Sequence, residues 1–452
     1  MKTSNISWIC FSIIMVFAMR LQAQTEQTNE FTIDAKLVSR AELRVGGFNP
    51  DTLDENRYSN FALGQYRITA TYKRSWLEMR LSPQSAGVWG ESPITLSFYE
   101  AWAKMHSKKG FFVQLGRQAL SYDDERILGN DDWTMTAPTH DVLKLGFEND
   151  IHKVHLILEY NQTSDNVDNG NTYYTGGLQP HKSMQTLWYH FDTPNKLFGI
   201  SLLGMNIGMQ SRNEDTPTET YYQQLVGTYM RFQPKRWSIE GAFYYQMGKE
   251  EHGIPMDAFM GSIKANYQLN DKYSFYAGYD YLSGDKYFNI PPTNAFGLIL
   301  HDKMRGFNPV FGSHHEFYGA MDFFYVSNFV GSFTPGLQNL YIGGNLYPIN
   351  GLNINAAYHY FAVATNPENF VGLGGALVTD WTLGHEIEVS ASYDFSNAVQ
   401  VSAGYSYMRG SETMYIIDKI DENRRLHWAW LMLTISPRMF GTTWQDKVKT
   451  ME

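Results

Sequence analysis

Two kinds of side chain alternate along this chain with a period of two. From Ile33 to Val45, Asp34, Lys36, Arg40, Glu42 and Arg44 fall on one parity, while Ile33, Ala35, Leu37, Ala41, Leu43 and Val45 fall on the other. Successive side chains of a strand point to opposite faces, so this segment has one charged face and one apolar face. Tyr66, Ile68, Ala70 and Tyr72 alternate likewise with Arg67, Thr69, Thr71 and Lys73, and Leu77, Met79 and Leu81 with Glu78, Arg80 and Ser82. Related segments recur to the end, among them "FGISLLGMNIGMQ", "WSIEGAFYYQMG", "YSFYAGYDYL", "HEIEVSASYDF" and "LHWAWLMLTIS". A soluble sandwich or propeller folds its apolar faces against each other. It rarely repeats a charged face opposite an aliphatic and aromatic one for a dozen strands.

The connections follow a rhythm of their own. "KRS", "HSKKG", "END", "TPNK", "PKR", "NDK", "ING" and "FSNA" are short. Longer polar stretches lie between them, around residues 46–57, 83–93, 118–140, 161–183, 211–219, 250–257, 284–337, 365–382 and 411–424. Strands counted between these connections come to about 18, an even number with both termini on one side. In lipid a sheet must satisfy every backbone donor and acceptor, which it does by closing on itself. The fold class predicted is all-β: a transmembrane antiparallel up-and-down β-barrel with short periplasmic turns and long outer loops.

The N-terminus reads as a secretory signal. Lys2 gives the positive end, Ile6 to Met19 the apolar stretch, and Leu21-Gln22-Ala23 a small residue for cleavage before Gln24. Removing residues 1–23 takes away Lys2 and Arg20 and no acidic residue, leaving a formal charge of −12. It also removes Cys10, the one cysteine, so the mature chain has no disulfide to rely on. An acidic chain lacks the basic face that phosphate binding needs, which excludes nucleic acid as a partner. The domain organisation expected is a signal peptide over 1–23, a barrel over 24–440 and a tail over 441–452.

One stretch breaks the alternation. "GRQALSYDDERILGNDDWTMT", Gly116 to Thr136, is neither period-two nor helical, and it is dense in charge. Here the chain resembles the alginate-export family of outer-membrane porins. The resemblance rests on Gly116-Arg117-Gln118, Tyr122, Asp123, Arg126, Gly129 and Asp132-Trp133. "FNPVFGSHHEFYGAMD" (307–322), "LGHEIEVSASYDF" and "VSAGYSYM" add weaker similarity. The resemblance implies an 18-stranded barrel with a polar, Arg-lined conduit, narrowed by segments folded inward near 118–140 and 284–337. Members in some bacteria export the anionic polysaccharide alginate.

The candidate pore-lining and selectivity residues are Lys36, Arg40, Arg44, Arg67, Arg80, Glu100, Arg117, Arg126, Asp131, Asp132 and Lys144. Fixed cations facing a lumen raise the local concentration of anions, and the Arg fork suits carboxylates. Structural pairing with neighbouring acids is the competing reading, for which Glu42, Glu78 and Glu100 are available. No metal site is read: His314, His315 and Glu316 are adjacent, and on a strand adjacent side chains diverge. No Gly-x-Ser-x-Gly elbow, His-Glu-x-x-His motif or complete phosphate loop points to an enzyme, and no cofactor is expected. The expected function is passive diffusion or export of polar or anionic, saccharide-like solutes across the outer membrane of a Gram-negative bacterium. The expected partners are outer-membrane lipid, such solutes or a polysaccharide, and the barrel-assembly machinery, with the chain a monomer. The alternative is a non-conducting barrel that binds or adheres through its outer loops.

Overall fold

The computed structural model describes residues 28–46, 58–91, 95–163, 173–174, 176–213, 215–285, 302–326, 329–365, 380–418 and 425–445. The expected signal at 1–23 lies outside them. The strands are β1 (Thr28–Val45), β2 (Tyr58–Arg74), β3 (Leu77–Val88), β4 (Thr95–His106), β5 (Phe111–Gln118), β6 (His140–Glu148), β7 (His152–Tyr160), β8 (Ser183–Asp192) and β9 (Phe198–Gln210). They continue with β10 (Thr220–Phe232), β11 (Trp237–Lys249), β12 (Pro255–Asn270), β13 (Tyr273–Leu282), β14 (Leu337–Leu346), β15 (Leu352–Ala362), β16 (Thr382–Ser396) and β17 (Val399–Gly410). The last strand, β18, runs in two segments, Arg425–Ile435 and Arg438–Gln445. Each strand pairs antiparallel with the next, and both segments of β18 pair with β1, which closes the ring at 18 strands.

The seam shows how the ladder survives a proline. Pro437 lacks an N–H, yet its carbonyl accepts from the Ala35 N–H at 3.1 Å, and pairing resumes at Asp34↔Arg438. The strand therefore continues to Gln445, five residues beyond the expected barrel boundary at 440. Trp444 is its last aromatic residue, stacked on Tyr72 at 6.0 Å. A second boundary also moves. The loop expected from residue 83 starts only after Val88, because the β3–β4 ladder shifts register between Ser82 and Pro83. A bulge there admits proline without ending the strand.

Short turns are built from local chemistry. Between β4 and β5, Gly110 takes a left-handed φ of 91° and its N–H donates to the Ser107 carbonyl at 3.1 Å. A Cβ at that position would run into the Glu148 carbonyl, so only glycine fits. Between β6 and β7, Asn149 Oδ1 accepts from the Ile151 and His152 N–H groups, an Asx turn.

The alternation sorts the two faces. Leu115, Leu187, Ile263, Ile342 and Leu431 all lie on the outer face, each more than half exposed. An apolar belt around a whole barrel is stable only against lipid. No helix among the described residues is long and apolar enough to cross a membrane.

The inner face is not uniform. On β1–β4, Arg40, Glu42, Arg67, Gln84 and Glu100 point inward and are buried. On β7–β12 inward apolar side chains, Ile157, Met184, Leu203, Met205, Ile207, Leu225, Tyr244, Ala258 and Met260, stand among buried polar ones such as Glu159, Thr186 and Gln246. The apolar ones pack against Leu120, Tyr122, Ile127, Leu128, Phe307, Phe324 and Phe329, which come from the connections folded into the bore. Burying each large side chain contributes roughly 1.5–3 kcal/mol, so this dry contact anchors the inward segments. Phe323 and Phe324 belong to this core rather than to a rim of aromatics.

Candidate functional site

The β5–β6 connection, residues 119–139, enters the barrel, and its contacts account for the residues of the charged motif one by one. Asp132 receives Lys36 Nζ, Arg67 Nη2 at 2.7 Å and Gln65 Nε2 at 3.2 Å, all from β1 and β2. The next residue, Trp133, stacks on His315 at 3.9 Å and lies beneath the Arg40 guanidinium at 3.8 Å. Its carbonyl accepts from Arg40 Nη1 at 2.8 Å. Trp428 and Trp430 of β18 meet the same ring edge-on. Tyr122 places its hydroxyl 2.9 Å from His155 Nδ1 and its ring against Trp188. Asp123 accepts from Trp188 Nε1 at 3.0 Å and from Ser201. Gly129 donates its N–H to the Phe311 carbonyl at 2.8 Å, and a side chain there would strike the Ser313 backbone.

Arg126 ties this connection to the far wall and to the β13–β14 connection. Its guanidinium is 2.9 Å from Asp280 on β13 and 3.1 Å from Asp124. It donates to the Tyr318 hydroxyl at 3.3 Å and lies 4.0 Å over the Phe317 ring. On β16, Glu386 and Glu388 accept from the Met321 and Ala320 N–H groups at 3.2 and 3.0 Å. Both inward segments are thus held by ionic and hydrogen-bonded contacts to the barrel wall.

Electrostatics differ around the ring. Among the described residues, Lys36, Arg40, Arg44, Arg67 and Arg80 on β1–β3 pair with Glu42, Glu100 and Asp132. Across the bore a cavity of about 300 Å³ is lined by Asp124, Glu240, Asp280, Glu316 and Glu388 against Arg126 and Lys264. Glu240 stands on β11, nine strands from β2 and so diametrically opposite it in an 18-stranded ring. A basic wall therefore faces an acidic one. Loop groups respond accordingly. Burial raises the Asp132 carboxyl, but Arg67 and Lys36 outweigh it and hold it below the ordinary carboxylate range. Burial pushes Asp123 up to about 6, despite the hydrogen bonds from Ser201 and Trp188. Asp131 is raised by burial and by nearby Asp322.

The candidate residues separate into groups. Lys36, Arg40, Arg44, Arg67, Arg80, Glu100, Arg126 and Asp132 converge on the interior in the pairs just given, with Arg80 2.8 Å from Glu100. Asp131 accepts from the His314 N–H at 3.2 Å, and Lys144 lies on the inward parity of β6 with His140 and Val142. Arg117 is misassigned as pore-lining. It shares the parity of the exposed Leu115, not that of the buried Gln114 and Gln118, and it binds Asp141 in a bidentate pair at 2.9 and 2.7 Å. The parity of a strand decides this, and β5 was too short and too weakly alternating for it to be read. His314 and His315 sit on a 3-10 turn, not a strand. The rings part, His314 onto Tyr325 and His315 onto Trp133.

Nothing in the sequence spacing singled out Asp280, Glu386 or Glu388, although their inward parity follows from the exposed Ile387 and Val389 beside the last two. A further group, His140, Glu159 and His181, brings two imidazoles and a carboxylate together from separate strands and loops, with ligand atoms within 4.8 Å of one another. Each member is isolated in the sequence, so no spacing motif could have revealed it.

Comparison with known proteins gives a family and a fold. The family model described as alginate export matches residues 93–414. No curated protein matches the chain in sequence. Solved structures of Pseudomonas aeruginosa proteins share the fold. OccK11 (OpdR) is 12% identical, with 91% of this chain and 96% of that one covered and a TM-score of 0.58. OccK2 (OpdF), solved in complex with glucuronate, is 12% identical over 90% of this chain and 98% of that one, with a TM-score of 0.57. OpdK, solved with vanillate, is 10% identical over 91% and 99%, with a TM-score of 0.55.

Proposed function

This chain belongs to the alginate-export family, and we propose on that premise that its barrel is a passive outer-membrane channel for small polar solutes carrying a carboxylate, such as sugar acids. The observation that carries this reading is the opposition of two walls. Among the described residues, Lys36, Arg40, Arg44, Arg67 and Arg80 stand beside three carboxylates on one side, and Glu240 and Asp280 stand across the ring on β11 and β13. A solute with a carboxylate at one end and hydroxyls along its body meets the part-exposed cations of the basic wall, Lys36, Arg44 and Arg80, and acceptors on the acidic wall. An Arg fork pairs with a carboxylate in two parallel hydrogen bonds, which orients the solute as well as attracting it.

The acidic cavity argues against a polyuronate as the preferred cargo. Five carboxylates against two bases would repel a chain that carries a charge on every sugar. A single sugar acid avoids that cost, and the glucuronate bound by OccK2 supports this class. Transport follows the gradient and draws on no nucleotide or redox group. Short turns face the periplasm and long connections face outward, as in other outer-membrane barrels. The closed ring leaves no strand edge for a second copy, which favours a monomer inserted by the barrel-assembly machinery.

Planar-bilayer recording tests the reading. Glucuronate should reduce the current at millimolar concentration more strongly than glucose does. Equal effects of the charged and neutral sugar would remove the role assigned to the basic wall.

A further inference from the structure

His140 opens β6, Glu159 stands next to last in β7, and His181 lies two residues before β8. The β6–β7 register sets Val142 opposite Glu159, so His140 and Glu159 are diagonal neighbours on the inward face. The chain leading into β8 is drawn alongside by the Asn161 N–H, which donates to the Lys182 carbonyl at 2.8 Å. Three side chains from three consecutive ladders therefore converge. His140 Nδ1 is 3.0 Å from Glu159 Oε2, and His181 Nε2 is 3.1 Å from the same oxygen. All three are buried, with His181 wholly inaccessible.

The surroundings have the form of a ligand site rather than of a satisfied polar cluster. Asn161 Nδ2 donates to Glu159 Oε1 at 3.1 Å and fixes the carboxylate, leaving Oε2 to the imidazoles. Phe311 covers both rings, at 5.2 Å from His140 and 4.9 Å from His181. The contact between His181 and Glu159 is too oblique for a directed hydrogen bond, and neither nitrogen of the His181 ring has such a partner. Gln118, cross-strand from His140, is buried with its Oε1 also without a partner. A buried carboxylate, two unevenly satisfied imidazoles and a spare amide oxygen are costly together unless something binds them.

We propose that His140, Glu159 and His181 bind one divalent transition-metal ion of the zinc class. Two imidazoles and one carboxylate suit zinc, whereas calcium and magnesium prefer cages of oxygen. A tetrahedral ion with bonds of about 2.0–2.2 Å needs its donors about 3.4 Å apart, so the 3.0 and 3.1 Å contacts need only open slightly. The Gln118 amide oxygen or a water completes the shell. Asn161 is the outer partner that orients the carboxylate. Bound there, the ion would clamp the mouths of β6, β7 and β8 behind Phe311, whose N–H and carbonyl join the Ile127 carbonyl and the Gly129 N–H. It would thereby lock both inward segments. The proposal does not depend on which solute the channel passes.

The test uses the purified, folded full-length barrel in detergent, stripped with a chelator and then titrated with zinc. Expected are one bound ion per chain by elemental analysis, micromolar or tighter affinity, and a rise in thermal stability. His140→Ala and His181→Ala should each weaken binding by at least about tenfold, while the heat-dependent gel mobility of a folded barrel persists. If either variant fails to fold, cobalt(II) added to the wild-type protein decides. The intense visible absorption of a tetrahedral ion with nitrogen ligands supports the site, and its absence overturns it. Failure to bind zinc, or equal binding after the His140→Ala and His181→Ala changes, also overturns it.

Discussion

Asp132→Ala is the sharpest perturbation of the basic wall. Asp132 accepts from Lys36, Arg67 and Gln65, and it is the one carboxylate that both cations share. Its loss raises the local surplus from one positive charge to two and cuts the polar latch of residues 119–139. Truncating one partner of a buried ion pair costs about 3–5 kcal/mol. The Asp132 side chain is 25% exposed, so solvent screening lowers this to about 2–3 kcal/mol of latch stability. Two measurements read the change. Hydrogen exchange should show faster opening of residues 119–139, and the reversal potential in a salt gradient should move toward anion preference. Asp132→Asn retains an acceptor for Gln65 and should shift the reversal potential with less opening of the connection. If Asp132→Ala leaves both the reversal potential and the exchange unchanged, the latch and the charge wall are both refuted.

Further outcomes follow from the same contacts. Asp123 has its carboxyl pushed up to about 6 by burial, above the ordinary 3.8, so the docked connection favours its protonated form. That contribution is complete below about pH 4 and disappears as pH rises through about 6, weakening the docking by up to about 3 kcal/mol. Asp123→Asn should flatten this pH dependence in thermal melts and stabilise the protein at neutral pH. Arg126→Met leaves Asp280 and Asp124 buried without their cation and should cost about 3–5 kcal/mol, seen as a lowered melting temperature. Arg117→Ala should leave ion selectivity untouched and cost under about 1 kcal/mol, since its pair with Asp141 lies on the outer face; a selectivity change would return Arg117 to the lumen. Replacing residues 119–139 by a short Gly-Ser linker should raise single-channel conductance.

The architecture was legible because strand alternation and loop rhythm are local signals, repeated at every hairpin. The connections at 211–219 and 411–424 begin and end where β9, β10, β17 and the first segment of β18 leave them. Two misplaced boundaries have one cause. Pro83 and Pro255 look like strand breakers, yet a bulge and a strand start admit them. The basic half of the interior was visible on β1–β3, where parity is unmistakable. The acidic half was hidden, because it appears only when the ring closes and sets β11 and β13 opposite β2. The inward apolar residues of β7–β12 were hidden for a similar reason: only the inward connections give them a dry contact. Asp132-Trp133 stood out as charge and an aromatic side by side, but their partners lie more than sixty residues away in sequence.

Ion selectivity of the purified barrel in planar bilayers, with and without glucuronate, decides whether its basic wall recognises a carboxylate. Expected are discrete channel events, block by glucuronate at millimolar concentration, and relief of that block when the part-exposed Arg44 and Arg80 are both replaced by alanine. Folded protein that never conducts, or a glucuronate block indifferent to those two arginines, would contradict it.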